Sequence, residues 1–188
     1  MSHLRFAAVT AMAMGVSGSP VMAELTADQV WQDWTGYLDD TGYSVSSDIS
    51  QSDDTLTIRN LALEMDLPDA EGGMSMRVGE IQLVENEDGS VSVVLPATLP
   101  IAIAAIDDEA QQVTAAVEIA HQALELTISG TSDDMDYAYS AEALILALTG
   151  LQAGDETPEI RAARIRLEDM IGHSRSEPGD TTRTVRQE

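Results

Sequence analysis

Side chains able to act in catalysis are scarce in this sequence, and this is clearest for histidine. The 188 residues include three histidines and neither cysteine nor lysine. A serine triad needs a histidine held between a nucleophile and a carboxylate. Only His121 lies in the body of the chain, no nucleophile-elbow string accompanies it, and residues 120–122 are typical of a turn. We therefore interpret His121 as a surface residue and predict no catalytic residue.

Carboxylates are the other candidates, because 33 of the residues are Asp or Glu. They cluster at residues 53–54, 85–88, 107–109, 133–136 and 155–156. Carboxylate oxygens suit Ca²⁺, but no cluster has the spacing of an EF-hand loop, and each falls where a chain reversal is expected. We favour solvated turns and expect no cofactor, with Ca²⁺ at these turns as the alternative.

Paired carboxylates also keep one enzymatic alternative open, a periplasmic hydrolase. A glycosidase places two carboxyl groups on opposite sides of the scissile bond at a fixed separation. Among 33 acidic residues some pair meets that separation by chance, so this pattern has no specificity.

Charge excludes one large class of partner. All nine basic residues are arginine, and the formal net charge is −24. A surface this negative repels phosphate backbones and anionic headgroups. The sequence therefore argues against nucleic-acid binding.

The first 23 residues have the three parts of a secretory signal peptide: a weakly positive start, an uncharged apolar run, and small residues before a cleavage site after Ala23. The apolar run is too short to span a bilayer, which takes about 20 residues. We predict export to the periplasm and a mature chain over residues 24–188, with eight basic residues against 33 acidic ones and a net charge of −25. No later apolar run reaches spanning length, so we expect no transmembrane segment after cleavage.

Directly after the predicted cleavage site, apolar residues at helical spacing predict a helix over residues 26–41. Thr26 and Gln29 form a capping box. The apolar stripe consists of Ala27, Val30, Trp31, Trp34, Tyr37 and Leu38. Trp31 and Trp34 could form a ligand platform or a plug over one end of a sheet, and we favour the plug because large aromatic side chains dominate core burial.

Beyond the helix, apolar residues alternate with polar ones. The clearest unit is residues 79–101, two alternating runs around an acidic turn whose Asp88-Gly89 step favours a tight reversal. The alternation changes parity at Arg59-Asn60 and again at Gly79, which predicts kinked strands. We predict a mainly β domain over residues 24–172: a curved antiparallel sheet of successive hairpins with one N-terminal amphipathic helix.

Two segments fit either a helix or a strand, residues 113–124 and 158–171. Residues 173–188 read as a polar tail in which a further hairpin begins near residues 182–185. Because this hairpin starts without a closing strand, we predict that the chain is the N-terminal part of a longer protein.

Four strings resemble a family of uncharacterised exported proteins of Gram-negative bacteria, domain-of-unknown-function family twenty-one twenty-five. They are VWQDWTGYLDDTGY (residues 30–43), DTLTIRNLALEM (residues 54–65), the unit at residues 79–101, and DMDYAYSAE (residues 134–142). The resemblance implies export, a β-rich architecture and a longer protein, and it favours strands in the two ambiguous segments. It implies no active-site residue.

Abundant aliphatic strands together with few catalytic side chains give the functional expectation. We expect a non-enzymatic exported protein, a binding protein or envelope scaffold, that offers an aliphatic sheet face to a lipid-like or protein partner.

Overall fold

The computed structural model describes residues 24–66, 73–106, 112–154, 163–177 and 184–187. The predicted signal peptide, residues 1–23, lies outside them.

Helix α1 spans Ala27–Asp40. Thr26 caps it: the Thr26 hydroxyl accepts from the backbone N–H of Gln29 at 3.2 Å, and the Gln29 side chain accepts from the N–H of Thr26 at 3.0 Å. The predicted capping box and helix are confirmed.

Strands make up nearly all the rest of the described chain. They are β1 (Ser44–Ser52), β2 (Thr55–Asp66), β3 (Gly73–Val78), β4 (Ile81–Glu85), β5 (Val91–Val94), β6 (Thr98–Ile106), β7 (Gln112–Gln122), β8 (Glu125–Thr131), β9 (Asp134–Ala153), β10 (Arg164–Glu177) and β11 (Thr184–Gln187). Every pairing is antiparallel, and all eleven belong to one sheet. The predicted class, a mainly β antiparallel sheet of hairpins with one N-terminal helix, is confirmed.

Several of these strands are halves of longer ones. β3 and β4 pair with β2 in a single register, with Leu61 opposite Val78 and Ile58 opposite Ile81. β7 and β8 likewise share one edge of β9. β5 and β6 lie end to end between these two composite strands. The sheet is therefore a meander of long hairpins whose three middle strands are each interrupted once.

The interruptions line up across the sheet in what we call the crease. It comprises Asn60, residues 79–80, residues 95–97, residues 123–124 and Asp169. Asn60, Ala123 and Asp169 have φ of 52°, 48° and 52°, in the left-handed region that extended strands avoid. The register places Ala123 and Asp169 on either side of Glu142. The kinks predicted at Arg59-Asn60 and Gly79 are thus confirmed, and both belong to this one transverse line.

The conformation of Asn60 can be tested by substitution. We expect Asn60→Val to lower the free energy of unfolding by about 1 to 2 kcal/mol, because a β-branched residue is strained at φ 52°. Both Val and Gly lose the 2.7 Å bond from Asn60 Nδ2 to Asp48 Oδ2. Asn60→Gly should stay within about 0.5 kcal/mol of wild type, because glycine accepts this backbone freely. Urea unfolding of both variants measures the difference, and equal losses would assign the effect to the hydrogen bond instead of the backbone.

One hydrophobic cluster joins α1 to strands on both sides of the crease. Leu56, Ile58 and Leu83 lie on one side of it and are at most 1 % exposed. Leu61 and Leu63 lie on the other side and belong to the same cluster. Positions 58 and 61 would face opposite ways in a regular strand, so the crease bends β2 until both face α1. We call the sheet surface that carries these side chains the inner face.

Residues 113–122 of the first ambiguous segment and residues 164–171 of the second are strands. Residues 112–122 form β7 because β6 and β9 pair with its two edges, and these ladders outweigh the helix propensity of its alanines. The interpretation of residues 120–122 as a turn is therefore wrong, since they end β7. β10 begins at Arg164, whereas residues 158–162 lie outside the described part of the chain.

The predicted boundary at residue 172 falls within β10, which continues to Glu177 and pairs there with β11. A strand near the predicted residues 182–185 is seen as β11, at Thr184–Gln187, but it pairs back with β10, so the prediction of an unclosed hairpin is wrong. The described part of the chain contains no helix with the length and hydropathy of a membrane-spanning segment.

Candidate binding face

The crease divides the inner face into two halves that differ in what lies over them. Helix α1 packs mainly against β1, β2 and β4. The cluster under it includes buried residues of β4, β5 and β8, namely Leu83, Val91, Val93 and Ile128, and we call this region the covered half. The open half lies across the crease and consists of residues 61–66 of β2, β3, β6, β7, residues 143–153 of β9 and residues 164–168 of β10.

Side chains of the open half form aliphatic rows that run across the strands. Directly paired residues of an antiparallel sheet share a face, so the register defines each row. One row is Leu63, Met76, Ile103, Ala115 and Leu151, and the next is Leu61, Val78, Ile101, Val117 and Leu148. A third consists of Leu99, Ile119, Leu146 and Ile165. The inner face of the open half is therefore aliphatic from β2 to β10.

Burial decreases along these rows with distance from α1. Leu61 and Leu63 are 6 % exposed, whereas Ile165 and Leu167 on β10 are 61 % and 41 % exposed. Most of the side chains between them, such as Val117 and Leu148, are half-buried. Six strands at about 4.8 Å spacing make the face about 24 Å wide. The three rows together form a long hydrocarbon surface whose own side chains carry no hydrogen-bonding group.

His121 is the one polar side chain whose register places it on this face, opposite Leu144. Its Nε2 lies 3.0 Å from the carbonyl oxygen of Pro96, at the crease. This contact links β7 to the interruption between β5 and β6, where the N–H of His121 also donates to the carbonyl of Ala97 at 3.2 Å. The position of His121 is that of a structural residue that joins two strands across the crease.

The outer face of the open half carries a hollow of about 470 Å³. Small side chains line it, among them Ala102, Ala104 and Gly150, and Arg77 is the charged residue in its lining. Ser75 and Thr114 supply hydroxyls, but none of the described residues that line the hollow is a histidine or carboxylate able to activate them.

The described acidic clusters lie in turns or at the strand ends beside them, with Glu85 at the end of β4 and Asp134 at the start of β9. Asp53 stands in the β1–β2 turn with φ 48°, and Asp134 forms an ion pair with Arg175 of β10. The clusters at residues 107–109 and 155–156 lie outside the described residues. Within the described ranges, no group of three His, Asp or Glu side chains is arranged to hold a metal ion.

Two carboxylates of the cluster at residues 85–88 have structural partners. Glu85 Oε1 accepts from the backbone N–H of Ala27 at 2.8 Å, so it satisfies a free N–H at the positive end of α1. Asp88 accepts from the hydroxyl of Ser90 at 2.6 Å and from its N–H at 3.0 Å. These hydrogen bonds, that of the hydroxyl first, lower the pKa of Asp88, the reverse of what a carboxylic acid catalyst needs.

Trp31 and Trp34 are both directed toward the sheet, but they differ in burial. Trp31 is 7 % exposed and belongs to the buried cluster. Trp34 is half-buried, packs against the same cluster, and donates from Nε1 to the hydroxyl of Tyr137 at 3.1 Å. The burial of Trp31 in the cluster favours a plug over a ligand platform for that residue.

Comparisons with protein-family models, with curated proteins and with solved structures gave no match. The candidate site therefore rests on the geometry above. Sequence periodicity pointed to aliphatic strand faces in general. It did not show which of them α1 would leave open.

Proposed function

We propose that this chain is a non-enzymatic, exported binding protein whose open half takes up the hydrocarbon chain of a lipid. The observation that carries the proposal is the continuous aliphatic inner face of the open half, which extends about 24 Å from β2 to β10, while α1, the helix of the described chain, packs near its β2 end. Export is the expectation from residues 1–23, and the resemblance noted above agrees with it.

The chemistry of the face selects a hydrocarbon over other occupants. A sugar or an extended peptide needs hydrogen-bonding partners, and these rows of Val, Ile, Leu, Met and Ala side chains offer none. An acyl chain needs none, and each methylene that it buries contributes about 0.8 kcal/mol. An extended acyl chain laid across the strands would contact one side chain per strand along a row.

Charge restricts the headgroup. The formal net charge of −24 creates a negative potential around the molecule, which opposes the approach of a phosphate or a free carboxylate. We therefore propose a neutral or zwitterionic headgroup at the solvent-exposed end of the chain.

The test is binding of a fluorescent monoacylglycerol, a neutral lipid with one acyl chain, to wild type and two aspartate variants. Val117→Asp puts a charge in the middle of the inner face, and we expect it to weaken binding at least about tenfold because the carboxylate would have to be desolvated. Ala116→Asp adds the same charge to the exposed outer side of the same strand and should leave binding within about twofold of wild type.

Circular dichroism and thermal unfolding control for the fold of both variants. If Val117→Asp does not fold, Val117→Thr, which keeps the volume and adds one hydroxyl, should still weaken binding several-fold. Equal affinities of wild type and Val117→Asp would contradict the proposal. So would the absence of extractable lipid, by mass spectrometry, from protein purified from the periplasm. Tighter binding of the matching phosphate-headed lipid would contradict the proposed headgroup alone.

A further inference from the structure

The outer edge of β10 stands out among the strand edges of the described chain. β9 pairs with one edge of β10 over residues 164–176. On the other edge β11 pairs only with residues 174–177, so within the described residues no strand follows residues 164–173 there. An edge of this length presents a row of unpaired N–H and C=O groups.

This edge also exposes large apolar side chains. Ile165, Leu167 and Ile171 are 61 %, 41 % and 78 % exposed and include the two most exposed large hydrophobic side chains of the described chain. Neither proline nor lysine interrupts residues 164–173, although such residues commonly protect exposed edges. The opposite edge strand, β1, is rich in serine and has Ile49 as its one large exposed hydrophobic side chain.

Charge does not oppose pairing at β10. The whole chain carries a net charge of −24, whereas residues 164–177 carry three arginines and three acidic residues and are neutral. Two copies of the chain repel each other over most of their surface. At β10 this repulsion is small.

We propose that β10 of one copy pairs antiparallel with β10 of a second copy about a two-fold axis at Leu167. In this register Arg166 lies opposite Glu168 of the other copy, and the two Leu167 side chains meet on the inner face. Arg166 and Glu168 already form an exposed 2.7 Å ion pair within one chain. The dimer therefore contains a square of four alternating charges.

The registers on either side each bring two like charges directly opposite each other. A two-fold axis at Arg166 places Arg166 opposite itself, and an axis at Glu168 places Glu168 opposite itself. Either arrangement sets like charges directly across the ladder, which is destabilising. The axis at Leu167 avoids both, and it aligns the inner faces of the two copies so that their open halves become one surface.

The test is sedimentation velocity on the purified chain from about 1 to about 100 µM, the range expected for so small an interface. We expect a concentration-dependent dimer. Arg166→Glu should weaken it about tenfold, because two symmetry-related ion pairs become repulsive at once. The double variant Arg166→Glu with Glu168→Arg restores both pairs and should restore the dimer.

Ile49→Asp is the matched control on the other edge of the sheet and should leave the dimer unchanged. Hydrogen exchange of the amides of residues 164–168 should slow as the dimer forms. A monomer over the whole concentration range would overturn the proposal, as would an Ile49→Asp variant that dissociates as readily as Arg166→Glu. Amides already protected in the monomer would also overturn it, because another segment of the same chain would then cover this edge.

Discussion

Trp31→Ala is expected to lower the free energy of unfolding by about 3 to 5 kcal/mol. The indole is 7 % exposed and lies in the cluster that joins α1 to the sheet, so its removal leaves a large cavity that the helix cannot close without moving. Urea unfolding followed by far-ultraviolet circular dichroism measures the loss.

Tyr37→Ala is the matched control, an aromatic residue of the same helix that is 47 % exposed, and we expect it to cost less than about 1 kcal/mol. The pair of variants also decides between the two interpretations of the tryptophans. A platform for ligand would lose lipid binding in Trp31→Ala and keep its stability. A plug loses stability, and its variant, where folded, still binds through the open half.

Leu83→Ala is expected to cost about 3 to 4 kcal/mol. Leu83 has no exposed surface and lies in the centre of the covered half, opposite Leu56 on β2 and Val93 on β5. Because β-strands on both sides fix its surroundings, the cavity should collapse little.

The control for Leu83→Ala lies on the same hairpin. Val94 is 45 % exposed, and Val94→Ala should cost less than about 0.5 kcal/mol. Chemical unfolding of both variants at one pH tests whether Leu83 lies on the buried inner face of the covered half and Val94 on its exposed outer face. Similar losses in the two variants would mean that both faces of this hairpin are packed, contrary to the structure.

Local sequence patterns predict those parts of the fold that local interactions determine. The helix follows from an apolar stripe and from a cap whose two members are three residues apart. The β4–β5 hairpin follows from the Asp88-Gly89 step, where Gly89 has φ 78°. The parity change at Asn60 likewise shows in the order of apolar residues, because a left-handed residue within a strand changes which neighbours share a face.

Segments determined by distant partners could not be predicted in this way. Alanines and valines of β7 fit a helix as well as a strand, and only the ladders to β6 and β9 decide between them. The role of Glu85 at the N-terminus of α1 depends on a residue 58 positions earlier in the chain. The open half became apparent only once the position of α1 was known, because its strands and those of the covered half have the same alternation.

The meander has a consequence for how such a molecule folds and changes in evolution. Every long strand pairs with the strands next to it in the sequence, so pairing can spread from one hairpin to the next with little loss of chain entropy at each step. Adding or deleting one hairpin would lengthen or shorten the sheet by about 10 Å and leave the other pairings intact. Under selection, the reach of the hydrocarbon surface could therefore be adjusted two strands at a time, without redesign of the packing beneath α1.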